Sequence, residues 1–247
     1  MIKNSYIHGM KTNVPAKDDS KKRYTLEEFD QLEREPGVEY QLHEGYVWEV
    51  NESALSYNNQ YYTVEEYLEM ERASPWKHEY YQGEIFAMSG AGRRHNFIFT
   101  NVFGKLCARL ENSPCRPFGS DMRMHVPENT LYTYPDISIY CGDPITTDSD
   151  EDTLIQPTII IEILSESTRN YDRGKKFSRY KDIPTLKEYI LIETETIGVD
   201  VFRIDTHNNW VKQEYKTLQE TVQLPTVDVS LLMKDIYRGT RLVKLVK

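Results

Sequence analysis

Between residues 95 and 110 apolar side chains return every four positions, at Ile98, Val102, Leu106 and Leu110, with Phe99 and Phe103 beside them. That period predicts a core helix. Farther on, Met122, Met124 and Val126 alternate with Asp121, Arg123 and His125, and Ile137 and Ile139 alternate with Asp136, Ser138 and Tyr140. These read as two half-buried strands, neighbours joined across residues 127–130. Residues 158–164 form an almost continuous β-branched run broken by Glu162, the mark of a central strand covered on both faces. The helical period returns over residues 172–180, and residues 188–192 form another strand, giving a right-handed strand-helix-strand crossover with the two strands parallel. Strands near residues 199–204 and 210–215, a turn at Asn208-Asn209 and a short helix near residues 230–236 complete the pattern. The fold class is α/β with a mixed central β-sheet flanked by helices.

The N-terminal part contains an internal echo. Tyr24-Thr25-Leu26-Glu27-Glu28-Phe29 matches Tyr62-Thr63-Val64-Glu65-Glu66-Tyr67, and Glu33-Arg34 matches Glu71-Arg72, at an offset of 38 residues. Each copy opens with a capping box, Thr25 with Glu28 and Thr63 with Glu66, and so predicts a short helix. Pro36 and Pro75 stop the copies, and tyrosine-rich segments run on to Gly45 and Gly83, predicting a helix-turn-strand unit. The expected organisation is a flexible leader at 1–23, a partial repeat at 24–58 and one domain at 59–247.

Composition adds limits. The chain has 247 residues, 39% hydrophobic and 28% charged, the balance of a globular protein with one core. No apolar run approaches a spanning helix and the first residues lack a signal-peptide core, so a cytoplasmic protein with no membrane partner is expected. Cys107, Cys115 and Cys141 are odd in number and form no C-x-x-C pair; they read as reduced and structural, without zinc. The net charge of −9 argues against a simple nucleic-acid binder, although steering depends on local potential more than on the total. Residues 142–156 carry Asp143, Asp148, Asp150, Glu151 and Asp152 without an apolar period and read as a solvated acidic loop.

Chemistry concentrates around Glu162. A carboxylate within an isoleucine run is costly to bury unless a cation or donor meets it, and Asp136 becomes its partner if the two strands are adjacent. Together with the backbone carbonyl of Ile163 they supply the hard oxygens that Mg²⁺ prefers. The plainer alternative is two separate strand-end acids capped by backbone N–H groups. On the following helix Asp172, Lys176 and Tyr180 share one face. Lys176 then stabilises charge developing on phosphate, or merely pairs with Asp172 on a solvated face. Arg169, Arg173, Lys175, Arg179 and Lys181 make this the most basic part of the chain. His95, beside Arg93 and Arg94, is either a phosphate contact or a helix cap.

In combination, Pro135-Asp136, Glu162-Ile163-Leu164-Ser165, the Asp172, Lys176 and Tyr180 series leading to Glu188-Tyr189, and Gly83-Glu84 followed by His95 resemble the Uma2 restriction endonuclease family of the PD-(D/E)XK nuclease superfamily. The resemblance spans residues 60–240. It implies a restriction-endonuclease-like core in which Asp136 and Glu162 bind Mg²⁺, or Mn²⁺ in its place, and Glu84 adds a third carboxylate. The superfamily's usual lysine position is Leu164 here, so its role passes to Lys176. Arg94, His95, Arg173, Lys175 and Tyr180 are the candidates for holding substrate phosphate.

Two functions of different class follow. One is a Mg²⁺-dependent nuclease, expected to act on DNA as a homo-oligomer. The other is a non-catalytic binding or assembly protein that keeps the nuclease fold, consistent with the negative charge and the added repeat. The first copy of the repeat has Gly45-Tyr46 where the second has Gly83-Glu84; it is no second active site, and is expected to extend a sheet edge or mediate self-association.

Overall fold

The computed structural model describes residues 61–88, 90–147 and 150–243, together with Thr25, Glu28 and the strands at 39–43 and 46–50. The leader at 1–23 and Gly45 lie outside the described residues. The chain divides into two compact units, residues 1–56 and 57–247.

In the first unit Thr25 and Glu28 form the reciprocal capping pair, at 2.8 and 3.2 Å, and β1 (Glu39–His43) pairs antiparallel with β2 (Tyr46–Val50). The second unit opens with the same arrangement. Thr63 and Glu66 cap α1 (Val64–Ala73) with the same two distances, and β3 (His78–Tyr81) pairs with β4 (Glu84–Ala87). The registers agree at an offset of 38: His43 faces Tyr46 as Tyr81 faces Glu84. Gln82 and Gly83 connect β3 to β4 at φ of 50° and 91°, the left-handed pair that a two-residue hairpin turn requires. Each copy thus ends in a hairpin of two strands, where one strand was expected.

Two six-stranded sheets form the body of this unit. One has the order β4-β3-β7-β6-β10-β9, built with β6 (Arg123–Val126), β7 (Leu131–Thr133), β9 (Ile145–Thr147) and β10 (Asp150–Ile155). The other has the order β14-β13-β12-β11-β8-β5, built with β5 (Cys115–Gly119), β8 (Ile137–Cys141), β11 (Ile159–Leu164), β12 (Glu188–Glu193), β13 (Val199–Ile204) and β14 (Trp210–Tyr215). As the isoleucine run requires, β11 is buried at all six positions, parallel to β12 and antiparallel to β8. Its two faces meet different layers. Ile159, Ile161 and Ile163 pack with Ile98, Val102, Leu106 and Leu110 of α2 (Arg93–Leu110). Ile160 and Leu164 pack with Phe177, Tyr180 and Tyr189, and with Met124, Val126 and Leu131 of the other sheet.

Several expectations need correction. β6 and β8 are not neighbours: β6 turns back through residues 127–130 onto β7, while β8 lies in the other sheet. β8 is not half-buried either, since Ile137 to Tyr140 are all buried between two layers. The expected acidic loop contains the antiparallel strands β9 and β10, and Thr153 and Leu154 of β10 are buried beside β6. Cys115 and Cys141 are not reduced thiols. They face each other across β5 and β8 and form a disulfide, leaving Cys107 free and exposed. The antiparallel turn-back brings together two cysteines that are 26 residues apart in sequence.

The connection from β11 to β12 is a short helix with an irregular middle. α3 (Arg169–Tyr171) passes into a π-turn (Asp172–Lys176) and then α4 (Phe177–Tyr180). A small hairpin, β15 (Thr221–Leu224) with β16 (Val229–Leu232), and α5 (Met233–Ile236) close the core on the α2 side. The strand at residues 229–232 begins where a longer terminal helix was expected.

Candidate active site

The site forms where β8 and β11 part. Their backbone ladder runs from Ile159 opposite Ile139 to Ile161 opposite Ile137 and stops there. Beyond it, side chains take over. The N–H of Ile163 donates to Asp136 Oδ2 at 2.7 Å, and the N–H of Asp136 donates to Glu162 Oε2 at 3.3 Å. Pro135 precedes this pair and has no N–H to continue the ladder. The two acids therefore satisfy backbone groups that would be left unpaired at the end of a sheet.

Both covering layers reach the same point. From α2, His95 Nε2 lies 3.1 Å from Asp136 Oδ2. From the opposite layer, Lys176 Nζ lies 2.9 Å from Glu162 Oε1 and 3.6 Å from Asp172 Oδ1. Tyr180 donates its hydroxyl to Glu162 Oε1 at 2.9 Å. Lys176 and Tyr180 act from the turns their spacing predicts, but the stretch leading to Lys176 is π-helical at Asp172–Lys176, a form often found at functional sites. The Asp172 carbonyl, at its start, accepts from the Tyr189 hydroxyl at 3.0 Å.

Glu162, Asp172 and Lys176 are each no more than 5% exposed. Burial pushes the Glu162 carboxyl up to about 8, because the opposing pull of Lys176 does not offset desolvation and the nearby Asp172 and Asp136. Burial raises Asp172 too. Desolvation alone would lower Lys176, but Glu162 and Asp172 outweigh it and hold its ammonium charged well above the ordinary range. Two buried carboxyl groups thus share one ammonium, with Asp136 beside Glu162, in a place where ionising every acid at once is costly.

The expected site residues divide by location. Asp136, Glu162, Lys176, Tyr180 and His95 come together. Glu84 does not join them: it is exposed at the first position of β4, and among the described residues no three His, Cys, Asp or Glu side chains are grouped to hold a metal. Of the expected phosphate contacts, Arg173 is engaged by Glu193 at 2.8 Å and Asp200 at 2.5 Å. Arg94 donates to the Thr194 carbonyl at 2.9 Å and pairs with Glu195 at 2.5 Å, while Lys175 is exposed. Tyr180 is wholly buried and serves Glu162. His95 does not cap its helix, whose N-cap is Gly92.

One nearby group escaped the sequence reading. Glu79 of β3 is buried and accepts hydrogen bonds from Thr133 at 2.8 Å, from Arg179 at 3.0 Å and from Tyr171. Its partners lie 54, 100 and 92 residues away, so no local spacing announces it.

The donor chemistry suits a hard divalent cation. Asp136 and Glu162 offer carboxyl oxygens a strand apart, next to the Ile163 peptide, the kind of ligand such a cation takes.

The sequence profile described as "Putative restriction endonuclease", Uma2, matches residues 64–234. The chain belongs to the Uma2 family. Two uncharacterized proteins of Synechocystis sp. (strain ATCC 27184 / PCC 6803 / Kazusa) are similar to it: one is 32% identical over 154 residues, 62% of this chain and 80% of the relative, and the other 33% identical over 127 residues, 51% and 72%. Among solved structures, a "putative nuclease belonging to DUF820" from Anabaena variabilis ATCC 29413 superposes with a TM-score of 0.59 at 21% identity, covering 71% of this chain and 97% of that one. At that identity the likeness bears on the Uma2 chain's fold alone, mixed sheets with flanking helices. No helix among its described residues is long and apolar enough to cross a membrane.

Proposed function

We propose that this protein is a divalent-metal-dependent nuclease that hydrolyses phosphodiester bonds, acting on DNA with Mg²⁺, for which Mn²⁺ substitutes. The observation that carries the reading is the meeting of Asp136, Glu162 and Lys176 where β8 and β11 part, within 2.9 Å for the Lys176-Glu162 pair. Membership of a family described as restriction endonucleases supports the same chemistry.

Asp136, Glu162 and the Ile163 carbonyl are the groups that would hold the metal. When bound, the cation supplies charge that polarises the phosphodiester and lowers the pKa of an attacking water. The protein's own side chains do the rest. Lys176, kept protonated by Glu162 and Asp172, presents positive charge to the phosphate as negative charge builds on it. Tyr180 fixes the rotamer of Glu162, and His95 fixes that of Asp136, so neither acid reorganises during the reaction. Lys175, exposed on the same helix, is positioned to meet a neighbouring phosphate.

The test is plasmid cleavage by the purified protein. Nicking or cutting with Mg²⁺ or Mn²⁺ should be abolished by EDTA and by Glu162→Ala or Asp136→Ala; full activity in either variant would remove these residues from the site. A working form that is cytoplasmic and homo-oligomeric belongs to the same reading, its association suggested by the additional hairpin of the first repeat copy at 39–50, and light scattering before and after deletion of residues 1–55 checks the association. The net charge of −9 favours a second reading, a non-catalytic assembly protein. Titration calorimetry separates them, because that reading requires no heat of Mn²⁺ binding at millimolar metal.

A further inference from the structure

Glu79 links the two ends of the π-turn that carries Lys176. Its Oε1 accepts from Tyr171, the last residue before the turn, and from Arg179, three residues after it. Arg179 also donates to the Tyr171 hydroxyl at 2.6 Å and lies 3.5 Å over the Tyr81 ring. The other oxygen, Oε2, is held by Thr133 of β7 at 2.8 Å. One carboxylate of the β3–β7 sheet thus ties down a helix belonging to the other sheet's crossover. A π-turn is rare and occurs mostly as a single turn within an α-helix, frequently at functional sites. Burial and the adjacent Glu79 both raise the Tyr171 hydroxyl, so it stays a donor.

The repeat provides an internal comparison. At the 38-residue offset Thr25, Glu28 and Glu33 match Thr63, Glu66 and Glu71, but Gln41 stands in the place of Glu79. The first copy keeps its capping pair and lacks this acid.

We infer that Glu79 is a positioning residue of the proposed nuclease site, acting through Tyr171 and Arg179 to hold the π-turn so that Lys176 meets Glu162. This rests on the nuclease reading above. It differs from the expected role of Glu84, since Glu79 works through the lysine and is not offered as a metal ligand.

The experiment compares full-length wild type with Glu79→Gln, Glu79→Ala, Tyr171→Phe and the Glu79→Gln/Tyr171→Phe double variant, in Mn²⁺-dependent cleavage of a DNA duplex and in hydrogen exchange of residues 169–180. Glu79→Ala should lower kcat by about thirtyfold and Glu79→Gln by less, with KM within about twofold of wild type. The double variant should be no worse than the sum of its parts predicts, and closer to the stronger single variant, because both changes break one contact. Amides 172–176 should exchange faster in each variant while those of β11 and β12 stay protected. Unchanged kcat with unchanged exchange in the turn overturns the inference, as does a rise in KM at constant kcat. If Glu79→Ala fails to fold, Glu79→Gln and Tyr171→Phe decide alone. Wild type that cleaves normally beside unaffected variants refutes only this inference; wild type inactive with every divalent metal refutes the nuclease reading and the inference with it.

Discussion

The ammonium of Lys176 stands 2.9 Å from Glu162 Oε1, and both side chains are about 95% buried. Removing one member of such a pair leaves the other charge without compensation, a loss of about 3–5 kcal/mol. Lys176→Met should therefore destabilise the protein by that order at pH 8 as well as abolish cleavage. The deficit should shrink near pH 5, where Glu162 accepts a proton and needs no partner. Urea melts at the two pH values measure this; equal deficits would contradict it.

The raised Glu162 carboxyl gives a signed pH dependence. Its ordinary value is 4.5 and burial carries it to about 8. Between those values the folded state keeps a proton that the unfolded state has released, so the stability this group contributes falls as pH rises through the window. The slope is at most about 1.4 kcal/mol per pH unit. Glu162→Gln should flatten the curve over pH 5–8, leaving a residual slope from Asp172, which burial shifts in the same direction. Parallel curves for variant and wild type would refute the assignment.

Among the described residues His95 hydrogen-bonds to Asp136, and its Nδ1 is buried without a hydrogen bond. Loss of a side chain that orients a metal ligand costs about 10–100-fold in metal affinity or activity. His95→Ala should weaken Mn²⁺ binding in calorimetry by that factor and leave the thermal midpoint close to wild type. His95→Asn should retain part of the affinity.

Thiol counting tests the cross-strand bond. Denatured, unreduced protein should show one reactive thiol, Cys107, and three after reduction, since Cys115 and Cys141 are joined. Opening a loop of 26 residues should lower stability by roughly 3–4 kcal/mol in the chain-entropy account. Cys115→Ser compared with wild type by denaturant unfolding gives the value.

The sequence was most legible where one element's pattern sufficed. The isoleucine run of β11, the four-residue period of α2 and the two threonine-glutamate caps each carry their structure within a dozen residues, and each was read correctly. Pairings set by distant parts were not. β10 looks like an acidic loop because its Glu151 and Asp152 are exposed, while Thr153 and Leu154 are buried. The β6–β8 adjacency failed because β7, three residues long, intervenes and sends the chain to the other sheet. At the site, Asp136 and Glu162 stood out as charges inside apolar patterns, and Lys176 by its four-residue spacing from Asp172 and Tyr180. Glu79 lies instead in the tyrosine-rich strand His-Glu-Tyr-Tyr, where a charged residue at alternate positions is unremarkable, and its partners come from three other elements, β7, α3 and α4.

The end of the ladder between β8 and β11 has a mechanical side. Its last two rungs are made by the carboxylates of Asp136 and Glu162, so the same oxygens that would coordinate a cation also fasten two strands. Ligand occupancy and strand zipping then share atoms, and each rearrangement of one is felt by the other. Lengthening the zipper by replacing Pro135 and Asp136 with strand-forming residues would close the fork and erase the site while leaving the sheet intact.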